Sequence, residues 1–151
     1  MRGRGRSASA NVHLGLICLL LLLLPPRPAA RLCTQDLLLR VRNLIKKAPQ
    51  QKELCSRLYT PSVLDYEKKT LGSTLKCFGE EIKVLLDEWA TAGFFIYKGF
   101  RFKSRIEDLA VKLNLTEAEG LKCERHNEES AEKFLNELQL TFQRINNDYR
   151  C

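Results

Sequence analysis

The chain has 151 residues and a formal charge of +7, from 25 basic and 18 acidic side chains, which leaves material for one domain and no more once a leader is set aside. Much of the basic excess is local: residues 1 to 30 hold Arg2, Arg4, Arg6 and Arg27 and no acid, so residues 31 to 151 carry 21 basic and 18 acidic groups, or +3. That charge does not demand the concentrated cationic face a nucleic-acid partner needs. No C-x-x-C, H-E-x-x-H, P-loop or G-x-S-x-G pattern is present, so catalysis is not expected and no cofactor or metal is implied.

The first 30 residues read as a secretory signal peptide. A basic start is followed by the apolar run Leu14 to Leu24, then by Pro25, Pro26 and Pro28 and the small residues Ala29 and Ala30. The run has eleven residues, against about 20 for a membrane span. The expectation is secretion with cleavage near Ala30. A signal anchor that stays attached is the competing reading.

Beyond the leader, Leu37, Leu38, Val41, Leu44 and Ile45 fall at steps of three and four, which predicts a first helix over Thr34 to Lys47. Thr34 or Asp36 is positioned to cap it, and Pro49 to end it. Residues 49 to 72 hold Pro49, Pro61 and Gly72 and no sustained period. A connection this long suits a crossover between two parallel helices.

A second helix is predicted over Ser73 to Trp89, with the stripe Leu75, Phe78, Ile82, Leu85, Leu86 and Trp89 and a cap at Ser73 or Thr74. Gly79 lies inside it, at a cost of about 1 kcal/mol against alanine, and hints at close packing. Thr91 to Gly99 contains the patch Phe94-Phe95-Ile96-Tyr97 and reads as a turn or a short extended segment. A third helix carries Phe102, Ile106, Leu109, Ala110 and Leu113 on one face. Asn114 to Lys122 breaks the pattern. A fourth helix, from about Glu128 to Tyr149, carries Ala131, Phe134, Leu135, Leu138, Phe142, Ile145 and Tyr149. No stretch alternates convincingly at period two.

Four amphipathic helices predict an all-α bundle. The first connection is long, the second moderate and the third about 14 residues. Long first and third connections fit an up-up-down-down arrangement, because each must travel the length of the bundle.

Few polar features stand out. The lone histidine after the leader, His126, reads as a solvated loop residue. Glu80-Glu81 and Glu128-Glu129 read as acids at helix starts, favoured by the helix dipole. Asn114-Leu115-Thr116 is an N-glycosylation sequon in a polar break, and occupancy is expected. Lys98, Arg101, Lys103 and Arg105 interleave with Tyr97, Phe100 and Phe102. The plain reading is a helix start with a basic edge. The functional rival is contact with membranes or glycosaminoglycans through segment 94–105. Cys33, Cys55, Cys77, Cys123 and Cys151 follow the leader, and in an oxidising compartment they are expected to pair.

Several words in order carry a resemblance: Leu58-Tyr59-Thr60, Lys76-Cys77-Phe78 with Glu81 and Val84, Asn114-Leu115-Thr116-Glu117, Lys122-Cys123-Glu124, and Phe134-Leu135-Asn136 with Gln143 nine residues after Phe134. This ordered set, across roughly residues 33 to 146, resembles the interleukin-2/interleukin-15 family of secreted cytokines. The resemblance implies a short-chain four-helix bundle, monomeric, that joins a beta-type receptor chain to the common gamma chain, often after capture by an alpha chain. It implies a bridge Cys77–Cys123. A second bridge of the interleukin-15 branch is missing, because Thr70 and Gly120 stand at its positions. Cys33–Cys151 is a substitute, with Cys55 bridged to either terminal cysteine as the alternative.

The resemblance also assigns surfaces. Gln143 matches the glutamine that meets the gamma chain. Asp36, one residue out of register, and Asp108, where the family carries an asparagine, match beta-chain contacts. Tyr59, Glu81, Val84, Glu88 and Glu124 match an acidic surface for the alpha chain. Glu81, Val84 and Glu88 share one helix face by their spacing.

Overall fold

In a computed structural model, residues 34–94, 101–116 and 122–149 are described. The expected signal peptide over residues 1–30, Cys33, Cys151 and Gly120 lie outside these residues, as do Tyr97, Lys98 and Phe100. The described residues fall within one compact unit, Leu32–Cys151. They form four α-helices, α1 (Gln35–Lys47), α2 (Leu71–Thr91), α3 (Phe102–Lys112) and α4 (Ala131–Asp148). Two three-residue strands, β1 (Arg57–Tyr59) and β2 (Glu128–Ser130), join them. The described residues are mostly helical, as the apolar periodicity leads one to expect.

The buried stripes are those the spacing predicts. Leu37, Leu38, Val41 and Leu44 of α1 meet Leu135, Leu138, Phe142 and Ile145 of α4 in one core. Leu75, Phe78, Ile82, Leu85 and Trp89 of α2 join it with Ile106 and Leu109 of α3. Phe78 and Phe134 stack in a tilted pair with ring centroids 5.5 Å apart. Each of these side chains contributes about 1.5–3 kcal/mol on burial. Against that sum, the propensity cost of one internal glycine is small.

The helix ends differ from expectation. Thr34 precedes α1, but its side chain makes no cap bond. Its hydroxyl and backbone N–H both donate to Asn146 Oδ1, at 2.8 and 3.0 Å. Asp36 is the second helical residue and exposed, not the cap. Packing the start of α1 on the end of α4 therefore takes the polar group the cap would have used. The end of α1 is as expected, at Lys47 just ahead of Pro49. The backbone tightens into a 3₁₀ segment over Ala48–Leu54 with the proline in its first turn, where a missing N–H costs nothing. Cys55 closes it with φ +49°.

Helix α2 begins at Leu71, before Ser73 and Thr74, and Thr70 makes no side-chain cap bond. Glu80 and Glu81 therefore lie in the body of the helix. Glu128 and Glu129 are in β2, and Ser130 caps α4 by accepting from Lys133 N–H at 3.3 Å. β1 and β2 pair antiparallel, with Arg57 opposite Ser130 and Tyr59 opposite Glu128. Three residues each are too few to show a period of two, so the sequence gives no strand signal here.

The crossover between α1 and α2 runs along α4. Val63 N–H donates to Glu137 Oε2 at 2.7 Å, Arg144 sits 5.6 Å from the Tyr66 ring centroid, and Lys68 sits 5.8 Å from that of Tyr149. The start of α1 and the approach to α2 thus both lie near the C-terminal half of α4.

Gly79 is buried where α2 packs on α3. A Cβ there would lie 3.6 Å from Lys103 Cγ and 3.9 Å from Ile106 Cγ2. These are ordinary contacts, so the interface has room for one methyl. Gly79→Ala is expected to stabilise the fold by up to about 1 kcal/mol through helix propensity, read as a higher thermal midpoint. A lower midpoint would mean that the two helices pack more tightly than this.

Candidate interaction surface

The crossover, α2 and the approach to α4 converge at Tyr59. Its backbone N–H donates to Glu81 Oε2 at 3.0 Å, and the next residue, Thr60, donates N–H to Asn127 O at 2.9 Å. Cys77, one turn before Glu81, is disulfide-bonded to Cys123, with the two Cα atoms 5.2 Å apart. The bridge implied by the family resemblance is therefore present. It sets Glu124 beside the same cluster.

The electrostatics report the crowding. The Tyr59 phenol is pushed above its ordinary value chiefly by Glu128, then by partial burial, Glu124 and Glu81. The Glu81 carboxyl is pushed up by burial first. The Tyr59 N–H bond opposes that shift, and Glu80, Glu124 and Glu128 add to it. Tyr59, Glu81 and Glu124 thus share one acidic neighbourhood, with Glu80 and Glu128 as members that the sequence reading missed. Glu128 was hidden because its strand looks like a helix start.

Val84 and Glu88 continue the face along α2. Val84 is 44 % exposed. Together with Leu54, Asp87, Thr91 and Ala92 the two line an open groove of about 550 Å³. Leu54 comes from the 3₁₀ segment, and nothing in its local sequence marks it. The combined surface offers carboxylates around an aromatic ring, with an exposed aliphatic patch alongside. Such a surface suits a basic partner with apolar side chains, because unlike charge speeds encounter and the apolar contact holds it.

The other assigned residues lie apart. Gln143 is half-buried on α4, between buried Phe142 and exposed Arg144. Asp36 on α1 and Asp108 on α3 are both exposed. Helix α1 packs chiefly on α4 and α3 chiefly on α2, and no hydrogen bond joins the two aspartates. Cys55 is an exposed free thiol. The Cys33–Cys151 pairing lies outside the described residues. Phe102 of the basic aromatic segment is buried in the core. Lys103 Nζ lies 3.8 Å from Glu107.

Among the described residues, no group of three or more acidic, histidine or cysteine side chains is arranged to hold a metal. No helix among them is long and apolar enough to cross a membrane. No family model, curated protein or solved structure matches this chain.

Asn114 ends α3 with φ +52°. Leu115 N–H reaches Ala110 O and Asn114 N–H reaches Val111 O, at 3.0 and 2.9 Å. This is a Schellman stop with the asparagine in the left-handed position. The side chain is exposed, as a glycan acceptor must be.

Two predictions follow from this geometry. Burial raises the Glu81 pKa on folding, so this group's contribution to stability is fully present at low pH and is lost as pH rises through the folded value. Glu81→Gln retains an acceptor for Tyr59 N–H and has no charge to desolvate. It should melt at or above the parent temperature at pH 7, while Glu81→Ala melts below it at both pH 4 and pH 7. Equal losses in the two variants would contradict the account. At the sequon, Asn114→Gly should abolish the glycan mass with stability preserved. Asn114→Ala should cost about 1 kcal/mol because alanine resists positive φ. Mass spectrometry and thermal melts of the variants expressed in glycosylating cells test both.

Proposed function

We propose that this chain is a secreted four-helix cytokine of the interleukin-2/interleukin-15 type, with up-up-down-down topology. It signals by bridging a beta-type receptor chain and the common gamma chain after capture by an alpha chain. The observation that carries the reading is the assembly of Tyr59, Glu81 and Glu124 from three separate segments into one acidic surface, continued along α2 by Val84 and Glu88. Three sequence words quoted for the resemblance thereby meet at one place in space.

The topology is supported by the ends that meet. The start of α1 lies on the end of α4 through Thr34 and Asn146. Lys68 lies at Tyr149, whereas Phe78 lies at Phe134, ten residues further along the chain but fifteen back along α4. These contacts support a reading in which α1 and α2 both run against α4 and so parallel to each other, which would account for the long crossover between them.

In this reading the acidic surface takes a basic alpha chain. Gln143 faces the gamma chain, where an amide both donates and accepts at a desolvated contact. Asp36 and Asp108 face the beta chain. Surface plasmon resonance with the three receptor chains tests it. Gln143→Asp should weaken gamma-chain binding about tenfold or more, the scale of an interface hot spot, with alpha-chain binding unchanged. Glu81→Lys should do the reverse. Undiminished gamma binding in Gln143→Asp, or no binding of any chain by the parent, would refute the proposal.

A further inference from the structure

Beyond the expected signal peptide, Cys33, Cys55 and Cys151 are left once Cys77 and Cys123 have paired. Cys55 is an exposed free thiol. Cys33 and Cys151 lie outside the described residues, but Thr34 and Tyr149, which tether them, lie inside. A disulfide needs its two Cα atoms within about 7 Å of each other. The places of the tethers and of Cys55 therefore select the pair that forms.

Cys55 is held at the start of α4. Two residues on, Arg57 stands opposite Ser130, the N-cap of that helix, and its guanidinium donates to Glu128 O at 2.9 Å. One residue back, Leu54 lies in the groove with Val84, Glu88 and Thr91 of α2. The backbone of Cys55 makes a left-handed stop at φ +49°. Its N–H donates to Lys52 O at 3.2 Å, and its thiol donates to the same oxygen at 3.7 Å. The thiol is thus turned back onto its own 3₁₀ segment.

Thr34 is held near the other end of α4. It is fully buried, with its hydroxyl and N–H both on Asn146 Oδ1. Ser130 and Asn146 are 16 positions apart (146 − 130), which is about 24 Å along a helix. A residue of extended chain spans at most about 3.6 Å. Two residues from Arg57 to Cys55 and one from Thr34 to Cys33 cover about 11 Å at full stretch, and the remainder exceeds disulfide reach. Cys151 follows Tyr149, which is past Asn146 and so farther still from the start of α4. Cys33 and Cys151 have no such gap between them. Thr34 sits on Asn146, Tyr149 comes one turn later with its N–H on Ile145 O, and only one and two residues of chain lead on to the cysteines.

We propose that Cys33 and Cys151 form a second disulfide and that Cys55 stays a thiol. An Sγ–Sγ bond forms between the two cysteines as their S–H bonds break. The two protons and two electrons pass to a protein or glutathione disulfide, which is reduced to two thiols. The bond closes a loop of 118 residues (151 − 33), and so long a loop strongly restricts the unfolded chain. It fastens the start of α1 to the end of α4, where the Thr34–Asn146 bonds already hold them. The inference stands independently of the receptor reading.

The test is a disulfide map of the full chain, purified from secreting cells without reductant. Native alkylation with iodoacetamide, digestion and mass spectrometry should show Cys55 alkylated and the Cys33 and Cys151 peptides linked until reduced. Cys151→Ser should expose Cys33 to alkylation and lower the thermal midpoint by about 10 °C. Cys55→Ser should leave the map unchanged and the midpoint within about 2 °C of the parent. The map is read on the parent chain, so it decides even where a variant fails to fold. A linked peptide that contains Cys55, alkylation of Cys33 in the parent, or a greater loss of midpoint in Cys55→Ser than in Cys151→Ser would overturn the proposal.

Discussion

The structure turns on how the crossover is held where it passes α2. Left to itself, a connection of more than twenty residues between two helices would sample many paths at a large entropic cost. Three restraints act within a few residues of each other. Tyr59 N–H is held by the Glu81 carboxylate, β1 pairs with β2, and the Cys77–Cys123 bridge ties α2 to the segment that leads into β2. Their magnitudes differ. A bridge closing 46 residues contributes about 2–4 kcal/mol, largely by restricting the unfolded chain. A hydrogen bond to a charged acceptor contributes about 1.5–3, and a strand hydrogen bond about 1. The bridge dominates the free energy, but it leaves register open. The strand pair and the Tyr59–Glu81 bond decide which side chains end up side by side.

This division explains what the sequence could and could not disclose. The helices were legible because burial repeats every three or four residues over many turns. The stripes of α1, α2 and α4 fall on the core side as the spacing predicts. Their starts were less legible, because capping is a contest between local and distant partners. Thr34 is a good cap by composition, yet it gives its hydroxyl to Asn146 across the bundle. Thr70, Ser73 and Thr74 form a run of candidates with no local signal to choose among them. The strands were invisible, because pairing Tyr59 with Glu128 links residues far apart in sequence and three residues carry no periodicity.

The surface was legible in a different way. Tyr59, Glu81, Val84, Glu88 and Glu124 were gathered by resemblance and not by any spacing that composition alone would reveal. Only the α2 members share a helical period. Tyr59 and Glu124 reach the cluster through the crossover bond and the disulfide. Members added by the fold, Glu80, Glu128 and Leu54, came from segments whose local reading pointed elsewhere. His126 went the other way. A solvated loop residue by its neighbours, it is half-buried and lines a cleft with both cysteines of the bridge. At the bridge acidic and basic side chains adjoin, with Lys76 and Lys122 bordering one hollow with Glu80 and Glu124.

The central proposal is that the acidic surface and Gln143 serve two receptor chains on one rigid bundle, so the decisive readout is signalling itself. Lymphocytes given the purified, disulfide-bonded chain should show STAT5 phosphorylation, enhanced by soluble alpha receptor and abolished when a blocking antibody occupies the gamma chain. A correctly folded chain that leaves STAT5 unphosphorylated in responsive cells, with or without alpha receptor, would contradict the account.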